Sequence, residues 1–370
     1  MKVLLLTTHM NTGGIGVFTV NLARYLKKEG VDVTVASAGG DLEGALAKDR
    51  VPHFMLDIKT KSEFGIKMWK ALPVLTRLVR DEGFQLLHAQ TRVAQVLAAV
   101  SGKITSVPFV STGHGFYKHR RLSRRLFPCW GEKVIAISSS VRRHLVEDFH
   151  VQPERVALIY TGIELDRYLS ESEAKDHDLM RTIGLAEDAL VVGAISRLSS
   201  VKGLKYLVSA FKDAATCDGN MRLLIVGEGP EKDALEKQIL ALGIADKVFM
   251  TAGSVPLERY LSLIDVFCLP SVHEGLGLSL MEAMAAGRAC IASDVGGPSE
   301  LIAHQENGIL VPPEDPDSLS VAILRLAEDA GLRRQLGKGA RKKASGFSIK
   351  RSVAQTMGVY REVLGIGDNE

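Results

Sequence analysis

Four loops carry residues whose types and spacing could do chemistry. The richest reads His273-Glu274-Gly275-Leu276-Gly277-Leu278-Ser279-Leu280-Met281-Glu282. Two acids eight apart frame glycines in an otherwise apolar segment. Carboxylates accept paired hydrogen bonds from vicinal hydroxyls, such as those of a ribose or a hexose. Gly275 and Gly277 open the backbone, so that amides at the start of a following helix could face an anion. The plainer alternatives are a loop acid at Glu274 and a helix-surface acid at Glu282.

A second loop, Ser196-Arg197-Leu198-Ser199-Ser200-Val201-Lys202-Gly203, sets two cations around a short turn. A guanidinium fork and a lysine point charge suit a diphosphate, though two solvated surface cations would look the same. A third, Asn11-Thr12-Gly13-Gly14-Ile15-Gly16, could let a phosphate or sugar approach the backbone, or be a plain tight turn. It fails the dinucleotide fingerprint. Counting from Gly14, the third glycine position is Thr19, and the second strand ends Val35-Ala36-Ser37 without an acidic ribose ligand. The fourth is Thr112-Gly113-His114-Gly115, where a histidine between glycines could donate to a hydroxyl or serve structure alone.

Each loop directly follows a short apolar run that lacks clean alternation. Val3–Thr7, Val31–Ala36, Gln85–His88, Phe109–Thr112, Val134–Ile137 and Val156–Ile159 read as strands buried on both faces, with amphipathic stretches such as Val17–Lys28 between them. The rhythm breaks over Leu169–Ala189, which is charged and has no strong apolar stripe. It restarts at Leu190–Ile195 and runs through Leu223–Val226, Lys247–Thr251, Asp265–Leu269, Cys290–Ala292 and Ile309–Val311. Alternating units of this kind predict an α/β chain of two doubly wound parallel-sheet domains. The expected boundaries are 1–168, a linker at 169–189, 190–347, and a last helical stretch at 348–370 crossing back to the first domain. In such sheets ligands bind outside the carboxyl ends of the strands, where all four loops fall.

Charge is unevenly spread. Residues 1–170 hold 24 Lys and Arg against 15 Asp and Glu, and residues 171–370 hold 22 against 28, so a net +3 divides into +9 and −6. A basic first half suits an anionic partner. The segment Phe116–Trp130 packs five Lys or Arg among four aromatics, a composition that suits an anionic membrane surface, an acidic acceptor or a solvated face. No apolar run is long enough to span a bilayer. Four scattered cysteines form no CxxC pair, so neither a disulfide framework nor a zinc site is expected, and a cytoplasmic setting fits. No nucleic-acid module appears, and no nucleic-acid partner is expected.

Taken together the segments resemble the GT-B glycosyltransferases, and in particular the large retaining family 4. The resemblance rests on Gly13-Gly14, on Arg197-Leu198 with Lys202-Gly203, and on Glu274 with Glu282. Ala292-Ser293-Asp294-Val295-Gly296-Gly297-Pro298-Ser299-Glu300 and Asn307-Gly308-Ile309-Leu310-Val311 extend it. It is strongest over 190–315. Tyr160-Thr161-Gly162-Ile163-Glu164 departs from the family's usual run.

The resemblance implies a GT-B fold with its two domains facing a cleft, and transfer of a hexosyl unit from a nucleoside diphosphate sugar, UDP-linked, with retention. It implies that Arg197 and Lys202 hold the diphosphate, Glu282 the ribose hydroxyls and Glu274 the donor hexose. Leu276, Gly277 and Leu278 would approach the donor, and Gly13, Gly14 and Gly16 would admit its phosphate. Gly227 and Gly253 would lie under the nucleoside, and His114 would contact the sugar near the reacting carbon. The acceptor is expected to be a glycan or a lipid-linked glycan in cell-envelope polysaccharide or glycolipid synthesis. The protein is expected in the cytoplasm or peripherally on the inner face of its membrane. No cofactor and no metal are expected, on the reading that the chain carries no Asp-x-Asp motif. A nucleotide-sugar 2-epimerase and a non-catalytic nucleotide-sugar-binding protein are the alternatives on the same fold.

Overall fold

The computed structural model describes residues 1–60, 62, 64–117, 124, 127–168, 175–216 and 219–367. Contacts divide the chain into two compact units, Met1–Gly162 with Ile349–Glu370, and Ile163–Ser348. Each is built on one parallel sheet.

In the first unit the strands are β1 (Lys2–Leu6), β2 (Asp32–Ser37), β3 (His53–Met55), β4 (Leu86–Ala89), β5 (Phe109–Gly113), β6 (Lys133–Ala136) and β7 (Val156–Leu158). Their order is β3-β2-β1-β4-β5-β6-β7, which reverses direction between β1 and β4. Strand β1 is apolar on both faces for a visible reason. Val3 and Leu5 enter one core with Phe18, Leu22 and Leu26 of the helix Gly14–Lys28. Leu4 and Leu6 enter the opposite core with Met68, Leu75, Val93 and Leu97, which come from the helices Ile66–Glu82 and Arg92–Thr105. Period-two geometry sends successive side chains to opposite faces, so a doubly covered strand has no polar side to show.

The helix Ile349–Leu364 belongs to this first unit. Its Ile349, Val353, Met357 and Tyr360 are buried with Val3, Leu22 and Ile135. Tyr360 Oη lies 2.6 Å from Nδ1 of His88, a fully buried residue of β4.

The second unit repeats the pattern with β8 (Leu190–Ile195), β9 (Met221–Val226), β10 (Val248–Thr251), β11 (Val266–Leu269), β12 (Ala289–Ser293) and β13 (Ile309–Val311), ordered β10-β9-β8-β11-β12-β13. Its first helix, Leu204–Ala214, buries Leu204, Leu207, Val208 and Phe211, the spacing of one helical face. The stretch read from sequence as a linker is different over its described part. Residues His177–Ile183 form a helix capped by the Asp176 carboxylate, with Leu179 and Met180 buried. Lys175 is anchored to Asp265 at 2.6 Å and Asp176 to Arg259 at 2.6 Å. Ion pairs hold this short helix where the sequence offers few apolar residues.

Candidate active site

In the second unit the loop after β8 is clamped from both sides. Leu198 N donates to Glu228 O at 2.8 Å, joining it to the loop after β9. Gly227 permits this, because a Cβ there would stand 1.9 Å from Ser196 O, and its φ of +146° suits glycine. On the other side Val272 N donates to Val201 O at 2.9 Å. Gly203, at φ +64°, would drive a Cβ to within 1.9 Å of Pro270 O. The two glycines therefore bring the ends of β8, β9 and β11 together.

The clamp creates an ion pair. Lys202 Nζ lies 2.5 Å from Glu274 Oε2, and Ser271 Oγ donates to the same oxygen at 3.2 Å. Both members of the pair are mostly covered. Glu274 is held further by its own carbonyl, which accepts from Gly297 N at 3.1 Å. Gly275, Leu276 and Gly277 are buried, and Gly277 caps the helix Leu278–Ala285. Arg197 is exposed, and its guanidinium has no hydrogen bond or ion pair among the described residues. One cation of the loop is thus paired with a carboxylate, and the other is exposed with no partner among the described residues. Gly253 lies exposed in the loop after β10.

Glu282 sits on the second turn of the helix Leu278–Ala285. Tyr168 Oη donates to its Oε1 at 3.1 Å. Burial of the carboxylate raises its pKa to about 7, and the Tyr168 hydrogen bond and the Arg167 charge only partly oppose this. Arg167 itself pairs with Glu258 at 3.1 Å. Glu282 therefore titrates near neutrality.

In the first unit the loop Asn11–Gly16 is pinned by Asp41, which accepts from Thr12 N at 2.8 Å and Thr12 Oγ1 at 2.5 Å. Gly13 precedes the helix Gly14–Lys28 and is exposed, whereas Gly16 is buried. Phe18, one turn into that helix, meets the His114 ring edge-on at 5.1 Å between centroids. His114 Nε2 lies 2.8 Å from Gln90 Oε1. Gln90 itself is buried and follows β4, and its Nε2 has no hydrogen-bond partner among the described residues. Burial lowers the His114 pKa to about 3, so the ring is neutral at ordinary pH. With Gln90 accepting, Nε2 carries the proton and Nδ1 does not. His88 behind it is also held near 3 by burial, its ring set between Tyr360 and Thr112 Oγ1 at 2.7 Å. His114 offers a positioned neutral hydrogen-bonding group, not a charge.

Comparison with known proteins assigns the chemistry. Residues 12–167 match the family model described as Glycosyltransferase Family 4, and residues 176–343 the model described as Glycosyl transferases group 1. An uncharacterized glycosyltransferase of Methanocaldococcus jannaschii is 29% identical over 95% of this chain and 96% of its own. The UDP-Gal:α-D-GlcNAc-diphosphoundecaprenol α-1,3-galactosyltransferase of Escherichia coli is 24% identical over 94% of each. The crystal structure of Anabaena HepE with UDP and glucose superposes with a TM-score of 0.85 at 24% identity, covering 98% of this chain and 100% of that one. The chain is a GT-B glycosyltransferase.

Several residues of this glycosyltransferase were not read from sequence. Gln90 and Asp41 follow β4 and β2, so the strand-end rule that picked the other loops would have reached them. Tyr168 had no such signal. The reading that the chain lacks an Asp-x-Asp motif needs correction, because Asp176-His177-Asp178 and Asp315-Pro316-Asp317 have that spacing. Their first aspartates are helix caps. Asp176 accepts from Leu179 N at 3.0 Å, and Asp315 from Ser318 N at 3.0 Å and Ser318 Oγ at 2.6 Å. Asp178 is paired with Arg181.

The membrane reading of Phe116–Trp130 falls mostly outside the described residues, at 118–123, 125 and 126. Arg124, which is described, is buried. Its guanidinium stacks over Tyr117 at 4.0 Å and lies 5.1 Å from the Trp130 ring, so this cation serves the interior of the glycosyltransferase.

Proposed function

We propose that this glycosyltransferase is a retaining, metal-independent enzyme. It moves a hexosyl unit from a UDP-linked donor to a glycan or lipid-linked acceptor of cell-envelope polysaccharide or glycolipid synthesis. The observation that carries the reading is the Lys202–Glu274 pair at the joined ends of β8 and β11, on the same short loop as Arg197, which is exposed and has no side-chain partner among the described residues. Binding of UDP and glucose by HepE and the name of the E. coli relative support a UDP-sugar and a diphospho-lipid acceptor.

Arg197 and Lys202 bind the diphosphate and stabilise it as the anomeric C–O bond breaks. Amides of Leu276, Gly277 and Leu278 and the helix start add positive field. Glu274 accepts hexose hydroxyls, and Glu282 accepts those of the ribose. Gly227 and Gly253 lie under the nucleoside. In the first unit His114 hydrogen-bonds the donor sugar, and the loop of Gly13, Gly14 and Gly16 admits the phosphate. The acceptor oxygen attacks the face that the diphosphate leaves. Its proton passes to a donor phosphate oxygen, so no protein nucleophile is needed.

The test is a panel of nucleoside diphosphate sugars with lipid-linked and soluble acceptors in excess EDTA, read by mass spectrometry, with anomeric configuration from NMR. Transfer with retention is expected. Free hexose released without an acceptor, inversion, or activity that returns only on adding magnesium or manganese would each overturn the corresponding part.

A further inference from the structure

Just past the carboxyl end of β4 the first unit buries a glutamine. Gln90 is 2% exposed, and its backbone N donates to Leu6 O at 2.8 Å, which carries the pairing of β1 and β4 one residue further. Its side chain makes one hydrogen bond among the described residues. Oε1 accepts from His114 Nε2 at 2.8 Å, and the amide Nε2 is left buried without a partner. A buried amide N–H that pairs with nothing opposes folding, and a methionine of similar length would not carry that cost. The single contact that the amide does make is with the ring just past β5. Phe18 meets the same ring edge-on at 5.1 Å, so His114 is held from two sides.

An amide does here what a carboxylate would not. The oxygen of either group accepts from Nε2 and so fixes the ring proton there. A carboxylate would also stabilise the imidazolium, in which both nitrogens donate. The neutral amide orders the ring without inviting a second proton. The surroundings agree. Burial alone shifts His114, and its titratable neighbours are neutral, His88 held near 3 and Tyr117 raised above its ordinary value by burial. Arg92 and Arg124 act on Tyr117 and do not enter into the shift of His114. We infer that Gln90 is a positioning residue, which fixes His114 as a neutral ring protonated on Nε2 and leaves Nδ1 to accept from a hydroxyl of the donor sugar. The ring then selects a group that can donate. The inference rests on the reading that His114 meets that sugar.

Full-length protein with 15N-labelled histidine is studied by long-range proton–nitrogen NMR at pH 7, and His114→Ala identifies the signal among the ten histidines. Expected are a neutral ring with its proton on Nε2 in the parent and a mixture of both tautomers in Gln90→Met. Calorimetry then compares UDP with UDP-glucose. Gln90→Met should bind UDP-glucose about tenfold more weakly and UDP as the parent does, because only the sugar loses its contact. Gln90→Glu should keep the Nε2 proton. Its affinity for UDP-glucose relative to the parent should fall as pH drops from 8.5 to 5.5 and the imidazolium forms. A parent ring that is charged, or that carries its proton on Nδ1, would overturn the inference whatever the donor proves to be. Gln90→Met binding UDP-glucose at the parent's strength while His114→Ala does not would also overturn it, and would leave the donor reading standing. His114→Ala at the parent's strength would remove the sugar contact itself, and the inference with it.

Discussion

Tyr168 donates a hydrogen bond to Glu282 across 114 residues of sequence, and so occupies the carboxylate assigned to the ribose. Burial holds that carboxylate at a pKa of about 7 against an ordinary 4.5. Its ionised form is the better acceptor. UDP-glucose carries no group titrating near pH 7, so its affinity should rise as pH increases through 7. Calorimetry from pH 5.5 to 8.5 checks this. A flat profile in Glu282→Gln beside a rising one in the parent is expected, and a flat parent profile would reject the assignment. Removing the donor in Tyr168→Phe should move the midpoint upward.

The same shift has a consequence for stability. A carboxyl whose folded pKa lies above its unfolded value binds its proton more tightly when folded. Ionising it therefore costs stability as pH rises from about 4.5 to about 7. At pH 8 Glu282→Gln should melt above the parent, in scanning calorimetry without donor.

Lys202 and Glu274 are covered enough to matter structurally, but an incompletely buried pair of this kind is worth only about 1 kcal/mol. Lys202→Ala should lower the melting temperature by about 2–4 °C yet cut kcat/KM by about 100-fold or more. Arg197→Ala, at an exposed site, should cost activity with no change in melting. Kinetics paired with thermal melts tests both. Activity near the parent level in either variant would place the diphosphate elsewhere.

His88 and His114 are both neutral down to a pH of about 3 in the folded protein. Unfolded histidine takes up its proton near 6.5. Their contribution is complete above that value and is lost as pH falls below it, because the unfolded chain then binds the protons. Thermal melts between pH 7.5 and 5 should show a steep loss, and His114→Gln should make it shallower. An unchanged slope would mean that the ring is solvated.

What was legible in the sequence is what strand-end glycines and charges announce. The loops at Arg197 and Glu274 stood out because two cations beside Gly203, and two acids framing Gly275 and Gly277, leave a mark in residue type, and the structure shows Gly203 serving a close backbone approach. The runs of β1 and β8 declared parallel sheets because both faces are covered. Tyr168 was illegible, since a tyrosine in an irregular segment carries no sign of a partner 114 positions away. The helix His177–Ile183 was hidden because it buries only Leu179 and Met180, and ion pairs of Lys175 and Asp176 just before it complete its anchoring. Gln90 was within reach of the rule and went unread.

The first unit takes its core from both ends of the chain, with Ile349, Val353, Met357 and Tyr360 closing over residues supplied by β1 and the helix Gly14–Lys28. Each such buried side chain contributes about 1.5–3 kcal/mol, so together they approach the whole stability of a domain, about 5–15 kcal/mol. On the ribosome, then, the first part to emerge cannot be the first part finished. It must wait with an open apolar face while the second unit is synthesised, and it closes only when the last helix leaves the exit tunnel. A chain stopped after Ser348 should leave a folded second unit tethered to an aggregation-prone first one, detectable by limited proteolysis as protection confined to residues 163–348.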